Sequence, residues 1–375
     1  MCSTDLPGFL LFAGSNDRAV LSLCRGFTRY GANFGLIGRG ADDLLLRSAY
    51  ADRFLGMRTS GTLTPTDLHA IINEARRRYG NRKWVICPTS EYLNRHLFEY
   101  RDALSANDVE LAVCSEALYG QLSDKARFRA YCLDVGLSPP PLMEDADAAS
   151  LPLPFVAKPS ENVSPDDRIL YPYLVRTERD RRRFLAEPAR STYYLERYME
   201  GQSWYLLYYM GRSGRWQAGA QRNLLQQGQG KSIVLARMEI YPDSGLVERI
   251  AVRLRSDGYR GFIMVELRRN DREVVVIEAN PRCWGPFQLA LDANTGLLEA
   301  FLNDYGYTVP MPESAAEGMH YLWTGGILKA LRGGIGIAAH ARWTTVAGAL
   351  VGASTRDVYA RPDSRMCYRK DLCQS

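Results

Sequence analysis

The chain has 375 residues, which is long enough for two or three domains with full-sized cores. Its residues are 46% hydrophobic and 24% charged, as in an ordinary globular protein, and its net charge of +5 is mild. Because the densest basic runs, at 76–78 and 179–183, are typical of solvated helix faces, a nucleic-acid partner is not expected.

The first 117 residues alternate between strand and helix patterns. Apolar runs predict strands at 8–13, 34–37, 84–87 and 109–114. Helical patterns lie between them at 18–30 and 68–79. Strands separated by helices indicate a parallel, Rossmann-like sheet. Gly14-Ser15 is not followed by G-x-G-x-x-G, so a strand-to-helix turn is a better interpretation than a dinucleotide site. Ser90 and Glu91 follow a strand end, where ligands gather in such sheets, and are candidate substrate contacts.

The next segment contains two lysines in informative places. Ser-Asp-Lys at 123–125 provides a cap for a helix that Gly136 ends before three prolines. On spacing alone, Lys125 is more often a first-turn surface lysine. The apolar strand at 153–159 contains Lys158, and a lysine among apolar residues is rarely buried unless it meets an anion.

Two connected strand regions follow. Residues 193–201 (YYLERYMEG) end a strand and begin a connection, and an apolar hairpin is predicted at 204–221. The tyrosines clustered here are spaced as in sheet faces and cores rather than ligand platforms. Gly-Gln-Gly-Lys-Ser at 228–232 resembles a phosphate-binding loop, but Leu225 stands where that loop needs its first glycine, so a Walker loop is rejected.

The sequence 261–288 (GFIMVELRRNDREVVVIEANPRCWGPFQ) predicts a hairpin with acids on both strands. Glu278 and Asn280 leave the same strand face, and a turn near 271–272 would bring Glu266 opposite Glu278, although the sequence does not fix this register. Two carboxylates and an amide oxygen suit a hard divalent cation that keeps water and phosphate oxygens as its other ligands. Two glutamates without the neighbouring motif would more often belong to an exposed face of a hairpin than to a metal site. Arg282 can reach an anion on the same side.

This hairpin resembles the catalytic end of the ATP-grasp superfamily, in its carboxylate–amine ligase branch. There an acid on one strand precedes Glu-x-Asn-x-Arg on the next, matched here by Glu266 and then Glu278, Asn280 and Arg282. Asp-Lys at 124–125 also resembles the segment that opens the fold. The resemblance spans roughly residues 1–310 and rests on about five short motifs.

The resemblance implies an α/β fold with an α+β catalytic part: a Rossmann-like N-terminal domain followed by a two-lobed ATP-grasp fold. The implied boundaries are a Rossmann-like domain at 1–117, a central lobe at 118–195, a C-terminal lobe at 196–310 and a subgroup-specific extension at 311–375. Relatives carry a glycine-rich flap after the second lysine and a ribose-binding acid after the hinge. This chain has no glycine between Lys158 and Glu200, and it has Gln202-Ser203 at the ribose position, so the ribose contact is unassigned.

The resemblance also implies ATP with Mg²⁺, or Mn²⁺ in its place, and a role for particular residues. The implied metal ligands are Glu266, Glu278 and Asn280. The implied nucleotide contacts are Lys125 and Lys158 for the phosphates, and the hinge Glu196, Arg197, Tyr198 and Met199 for the adenine edge. The implied catalytic groups, which would stabilise the phosphate and acyl charge, are Arg282, Arg222 and Lys231.

The function implied by this family is an ATP-dependent ligase. It would activate a carboxylate as an acyl phosphate and join it to an amine, releasing ADP and phosphate, in amino-acid or natural-product metabolism. Small carboxylate and amine substrates are the expected partners, while a homodimer and a carrier protein stay open. The alternative is a non-catalytic nucleotide-binding regulatory protein of the same fold. An acyl-adenylate ligase would need a Ser/Thr/Gly-rich phosphate loop, which this sequence lacks. An NAD-dependent dehydrogenase is favoured only by the strand–helix pattern of the N-terminal region.

The cysteines and the apolar segments indicate a cytoplasmic location. Eight cysteines are scattered without C-x-x-C, as expected of reduced thiols, and Cys283 beside the proposed site is interpreted as a small core residue. No basic segment precedes the first apolar run, so no signal peptide is expected. The weakly polar region 325–354 is interrupted by basic residues and is not expected to span a membrane.

Overall fold

The computed structural model describes residues 6–59, 63–143, 147–160 and 170–374, which form three β-sheets flanked by helices. The first sheet is parallel in the order β3-β2-β1-β4-β5, as the strand–helix alternation predicted. Its strands are β1 Gly8–Phe12, β2 Phe34–Gly38, β3 Phe54–Met57, β4 Trp84–Ile86 and β5 Val109–Leu111. Its helices are α1 Asp17–Arg29, α2 Pro65–Tyr79, α3 Glu91–Phe98 and α4 Arg101–Ser105.

Some elements of this region differ from the sequence prediction. The edge strand β3 was not predicted, because it has only four residues, the last two of them half-buried. The helix predicted after the cap at 123–125 is α6 Lys125–Asp134, and a second helix that was not predicted, α5 Glu116–Ser123, precedes it. They separate at Asp124, whose extended backbone breaks the first helix and whose side chain accepts a hydrogen bond from Arg127 N to cap the second.

The second sheet is small and antiparallel, in the order β7-β6-β8. It comprises β6 Phe155–Pro159, β7 Tyr173–Val175 and β8 Tyr193–Arg197, with α7 Glu178–Leu185 packed against it. Phe155 and Phe184 belong to its separate apolar core, which identifies this lobe as a packing unit of its own.

The third sheet has seven strands, ordered β13-β12-β9-β10-β11-β14, with β15 paired to β10. The strands are β9 Gln202–Met210, β10 Trp216–Gln227, β11 Ile233–Met238, β12 Gly261–Arg269, β13 Val274–Asn280, β14 His320–Leu322 and β15 Ile337–Ala339. One face packs on α8 Ser244–Ser256, where Tyr208 Oη donates to Val247 O. The other packs on α10 Leu297–Asp304, where Tyr209 Oη donates to Asp304, and on α9 Phe287–Asp292.

The C-terminal residues 311–375, expected as an extension, contribute strands to this large sheet. Strand β14 pairs with β11 and β15 pairs with β10, so the segment is built into the same sheet as the acidic hairpin. Its helices are α11 Thr324–Arg332, α12 Trp343–Ala353 and α13 Arg365–Gln374. Within the described ranges no helix, α12 included, is long and apolar enough to cross a lipid bilayer.

The β12–β13 hairpin carries the predicted acids, and its register brings Glu266 opposite Glu278. The register contains an irregularity: Glu266 pairs with Glu278, whereas Leu267 pairs with Val276, so Ile277 is an extra residue on β13. This is a β-bulge, which bends a strand and redirects its side chains. The turn itself is held by Asn270, whose side-chain oxygen accepts from the backbone N–H of Arg272 and of Glu273.

We predict that Gly201, which leads from β8 into β9, is required for stability. It has φ +127°, and an added Cβ would lie 2.3 Å from Arg269 O, a backbone atom of the neighbouring hairpin. We expect Gly201→Ala to lower the free energy of unfolding by at least about 3 kcal/mol, measured by urea denaturation.

Gly258→Ala is the matched control. Gly258 also has positive φ, +74°, but an added Cβ there meets no described atom within 4 Å, so the expected loss is about 1 kcal/mol. Equal losses for the two variants would contradict the close approach of Gly201 to Arg269.

Candidate active site

All the predicted site residues except Arg222 line one cleft of about 980 Å³, the size of a pocket for a nucleotide and a second ligand. The cleft lies between the small and large sheets. The carboxyl edge of the N-terminal sheet and the C-terminal segment close its other sides. The sequence-predicted residues that line it are Ser90, Glu91, Lys125, Lys158, Glu196, Arg197, Tyr198, Met199, Lys231, Glu266, Glu278, Asn280 and Arg282.

The two facing carboxylates, Glu266 and Glu278, lie at the floor of the cleft. Glu266 is 5% exposed and faces Glu278 across the ladder. Burial raises the pKa of Glu266 to about 7; the Arg268 guanidinium opposes this rise, and the Glu278 charge adds to it. Arg268 Nη2 lies 3.2 Å from Glu266 Oε1. The pair of facing carboxylates, of which Glu266 is buried, therefore favours binding of a further cation.

Asn280 connects Glu278 to Arg282. Its Nδ2 donates to Glu278 Oε1 (2.8 Å), and its Oδ1 accepts from Arg282 Nη2 (3.0 Å), which fixes the orientation of the amide. The loop after this strand is attached to the N-terminal domain, because Asn16 Nδ2 donates both to Thr89 O and to Cys283 O, each at 3.1 Å. The carboxyl edge of the parallel sheet thus positions the Glu-x-Asn-x-Arg segment.

The two predicted lysines both lie near the acids. Lys158, on β6, forms an ion pair with Glu196 Oε2 at 2.8 Å and donates to Ile277 O at 3.2 Å. Lys158 therefore bridges the small sheet to the bulge in the large one. Burial lowers the pKa of Lys125, and the nearby Glu278 and Glu91 charges oppose that shift. Both lysines thus lie where they could meet an anion bound above the acids.

The predicted hinge, 196–199, lies along the cleft wall at the end of β8. Glu196 is buried, and its carboxylate interacts with Lys158 and with Arg129 (3.5 Å), so its side chain holds cations in place. Strand β9 begins at Gln202, directly after the hinge, and pairs there with Arg269 of β12. The segment expected to contain the phosphate flap, 161–169, lies outside the described residues.

The prediction for Arg222 is wrong. Arg222 pairs in register with Trp204, whereas its neighbour Gln221 pairs with Tyr205, the strand partner of Glu266. Successive side chains of a strand leave opposite faces, so Arg222 lies on the face away from the cleft, 3.7 Å from Glu239. The alternation of side chains along a strand, which puts Glu278 and Asn280 on one face, also puts Arg222 on the face opposite to Gln221.

Lys231 does line the cleft, in the turn between β10 and β11. The rejection of a Walker loop is confirmed, because residues 228–232 connect two antiparallel strands and do not lead into a helix. Gln229 (φ +62°) and Gly230 (φ +68°) form the centre of a tight hairpin turn.

Sequence reasoning missed several cleft residues. Arg268 stands two residues after Glu266 on the same strand face, so the argument used for Asn280 could have found it. Tyr205 pairs with Glu266, and burial raises its pKa well above the usual value, so it stays a neutral hydroxyl. His340 and Trp323 come from the C-terminal segment, where no motif marked them.

Cys283 is buried, as its interpretation as a core residue requires. Burial raises the pKa of its thiol far above the usual range, and the Arg282 charge only partly opposes the rise. A thiol held neutral is a poor nucleophile. The site therefore offers charges and hydrogen-bond donors, and no activated thiol at this position.

The donor set fits a divalent cation that also binds phosphate. Two carboxylates face each other, one of them with a raised pKa, and an amide oxygen lies on the same face. Among the described residues, no group of three or more His, Cys, Asp or Glu side chains forms a ready metal cage. A hard ion such as Mg²⁺, which keeps several non-protein oxygen ligands, suits this set.

Comparisons with known proteins identify structural relatives only. No family model and no curated protein sequence matches the chain. Biotin carboxylase from Campylobacter jejuni, in a βγ-ATP complex, is 14% identical and matches with TM-score 0.60 over 85% of this chain and 75% of its own. N5-carboxyaminoimidazole ribonucleotide synthetase from Thermus thermophilus is 16% identical, with TM-score 0.56 over 83% and 81%.

A third match is the biotin carboxylase domain of 2-oxoglutarate carboxylase from Hydrogenobacter thermophilus, a dimer in complex with MgADP, ADP and bicarbonate. It is 12% identical, with TM-score 0.60 over 84% of this chain and 74% of that one. At such identities the likeness establishes a shared fold.

We predict that Glu196 stabilises the protein through its buried ion pair. Glu196→Ala would leave the ammonium of Lys158 buried without its carboxylate, and we expect a loss of about 3–5 kcal/mol in the free energy of unfolding, measured by urea denaturation.

Glu273→Ala is the control, because it removes the partner of the adjacent Arg197 in a pair that is 48% and 37% exposed. Its expected loss is below about 1 kcal/mol. If Glu196→Ala cost no more than this control, the buried pair would not have the assigned role.

Proposed function

The chain has the ATP-grasp fold of these enzymes, and on that premise we propose that it is an ATP-dependent carboxylate–amine ligase. The observation that carries the proposal is the facing of Glu266 and Glu278 in a cleft that also contains Lys125, Lys158 and Arg282. In a protein that had kept the fold without catalysis, we would expect part of this set of charges to have been lost.

The proposed reaction has two steps. A carboxylate oxygen of the first substrate attacks the γ-phosphorus of ATP, the bond to the β–γ bridging oxygen breaks, and ADP leaves. The amine nitrogen of the second substrate then attacks the acyl carbon, inorganic phosphate leaves, and the amine proton passes to solvent. This chemistry requires positioning and charge neutralisation more than a protein nucleophile.

The roles follow from the positions of the side chains. Glu266, Glu278 and Asn280 would hold Mg²⁺, which neutralises phosphate charge when bound. Lys158 and Lys125 lie near the acids and would bind phosphate oxygens. Arg282, fixed by Asn280, would orient the acyl phosphate, and Lys231 would add charge from the hairpin turn. The hinge 196–199 would meet the adenine edge through its backbone.

The first substrate would bind between the metal acids and the N-terminal sheet. Ser90 and Glu91 lie there, and Ser90 caps helix α3 by accepting from Leu93 N. Bicarbonate belongs among the candidate carboxylates, because one matched structure contains it. A homodimer and a carrier-protein partner are compatible with this proposal.

The test is product analysis with pools of substrates. Purified protein is incubated with Mg-ATP, amino acids and small carboxylates including bicarbonate, and ADP, AMP, phosphate and the condensed product are measured. We expect ADP and phosphate only with a particular pair. We expect Glu278→Gln to lower turnover at least roughly 100-fold with an unchanged melting temperature, because it removes a metal carboxylate.

Glu273→Gln, at the exposed turn of the same hairpin, is the control and should keep full turnover. Full activity in Glu278→Gln would contradict the metal assignment, and release of AMP would indicate adenylation. Tight ATP binding without turnover in any pool would support the non-catalytic regulatory alternative.

The raised pKa of Glu266 predicts a pH-dependent affinity for the metal ion. Below about pH 7 the carboxyl holds a proton that an arriving cation must displace, so affinity falls as pH falls. With Mn²⁺ as the probe and ADP present, electron paramagnetic resonance should show the dissociation constant rising about tenfold from pH 8 to pH 6. Glu266→Gln should bind more weakly with a flatter pH profile. An equally steep profile in that variant would contradict the assignment.

A further inference from the structure

Arg268 is a partly buried cation in the cleft, and the proposed roles leave it unused. Its side chain is 14% exposed and lies on the same strand face as Glu266, two residues further along β12. The contacts within the described part of the chain use three of its five N–H donors: Nη1 to His340, and Nη2 to Gln226 and to Glu266. The guanidinium is therefore fixed and still has donors for a ligand.

A chain of hydrogen bonds determines how Arg268 is held. Gln226 Nε2 donates to the backbone oxygens of Gly230 (3.0 Å) and Lys231 (2.8 Å), which fixes the amide so that its Oε1 can only accept. Arg268 Nη2 donates to that oxygen at 3.2 Å. The carbonyls of the hairpin turn thereby orient the cation through Gln226.

His340 completes this network from the C-terminal segment. Its Nε2 lies 2.8 Å from Gln226 Oε1, which accepts, so Nε2 must carry the proton. Nδ1 then accepts from Arg268 Nη1 at 2.9 Å. The imidazole is neutral, because burial, together with the Arg268 and Arg176 charges, lowers the pKa of His340 to about 2. A neutral acceptor holds Arg268 without cancelling its charge.

The register places Arg268 on the path that a nucleotide would follow. Strand β9 begins beside the hinge, where Gln202 and Ser203 pair with Arg269 and Arg268, and Tyr205 pairs with Glu266. Moving from the hinge to the metal acids therefore passes Arg268, about 7 Å before Glu266. A nucleotide with its base at the hinge and its terminal phosphates at the acids would cross this guanidinium.

We propose that Arg268 binds a phosphate oxygen of the nucleotide and that His340 is the positioning residue that holds it for this contact. The inference rests on the proposed function, since it assumes ATP in the cleft. It gives the C-terminal segment a part in the site: β15 pairs with β10 at Gln226, and His340 follows directly after that strand. The competing role for Arg268 is only to neutralise Glu266, and the test separates the two.

The test is a series of ligands that differ by one phosphate. Adenosine, AMP, ADP and the non-hydrolysed analogue AMP-PNP are titrated calorimetrically with Mg²⁺ at pH 8 into wild type, Arg268→Gln and His340→Ala. We expect adenosine to bind the three proteins with equal affinity. For every ligand that carries the contacted phosphate, we expect both variants to bind at least roughly tenfold more weakly than wild type. His340→Gln, which keeps one donor and one acceptor, should recover part of the loss.

His320→Ala is the matched control, because His320 is the other histidine of the same segment and lies outside the cleft lining. It should bind the whole series like wild type. Equal weakening for adenosine and AMP-PNP, or no weakening, would overturn the phosphate contact. Weakening in Arg268→Gln with His340→Ala unaffected would overturn the positioning role. A wild-type protein that binds no member of the series would overturn the proposed function as well, so the failures are distinguishable.

Discussion

The extra residue in β13, Ile277, determines the geometry of the whole site. If the pairing of Leu267 with Val276 continued without a bulge, Glu266 would face Ile277, and Glu278 would leave the opposite side of the sheet. The bulge returns Glu278 to the face of Glu266, so that two carboxylates meet in the cleft. The same irregularity leaves Ile277 O available to Lys158, at 3.2 Å, which connects the small lobe to the acids.

The charged side chains of the cleft are paired with one another in the folded protein, and a bound ligand could take the place of one partner. Lys158 is paired with Glu196, and Glu266 is partly neutralised by Arg268, so neither buried charge is left alone in the folded protein. The compensation of Glu266 is incomplete, because burial still raises its pKa to about 7. A divalent cation would stabilise the charged form of the Glu266 carboxylate, and phosphate oxygens would give the lysines further partners.

Much of the fold and part of the site could be predicted from local patterns. The parallel sheet follows from its apolar runs, and the facing acids follow from the hairpin turn and the Glu-x-Asn-x-Arg spacing. However, the predicted pairing of Glu266 with Glu278 depends on an assumed position of the turn. No feature of the sequence marks the bulge that produces this pairing. Arg222 was misplaced because sequence proximity to a motif does not determine which face a strand residue leaves. Edge strand β3 was missed because four residues carry little periodicity.

The C-terminal segment could not be placed because its role depends on long-range packing. Strand β15 has only three half-buried residues and is defined by pairing with β10 more than a hundred positions earlier. That packing also explains the glycine-rich sequence that imitated a phosphate loop. An added Cβ on Gly228 would lie 1.7 Å from Ile335 O, and Gly228 N donates to Gly336 O, so glycine is needed where the hairpin meets the segment. The glycines at this position are therefore required by contact between distant parts of the chain. The same contact holds the hairpin turn at the cleft, where Lys231 lies.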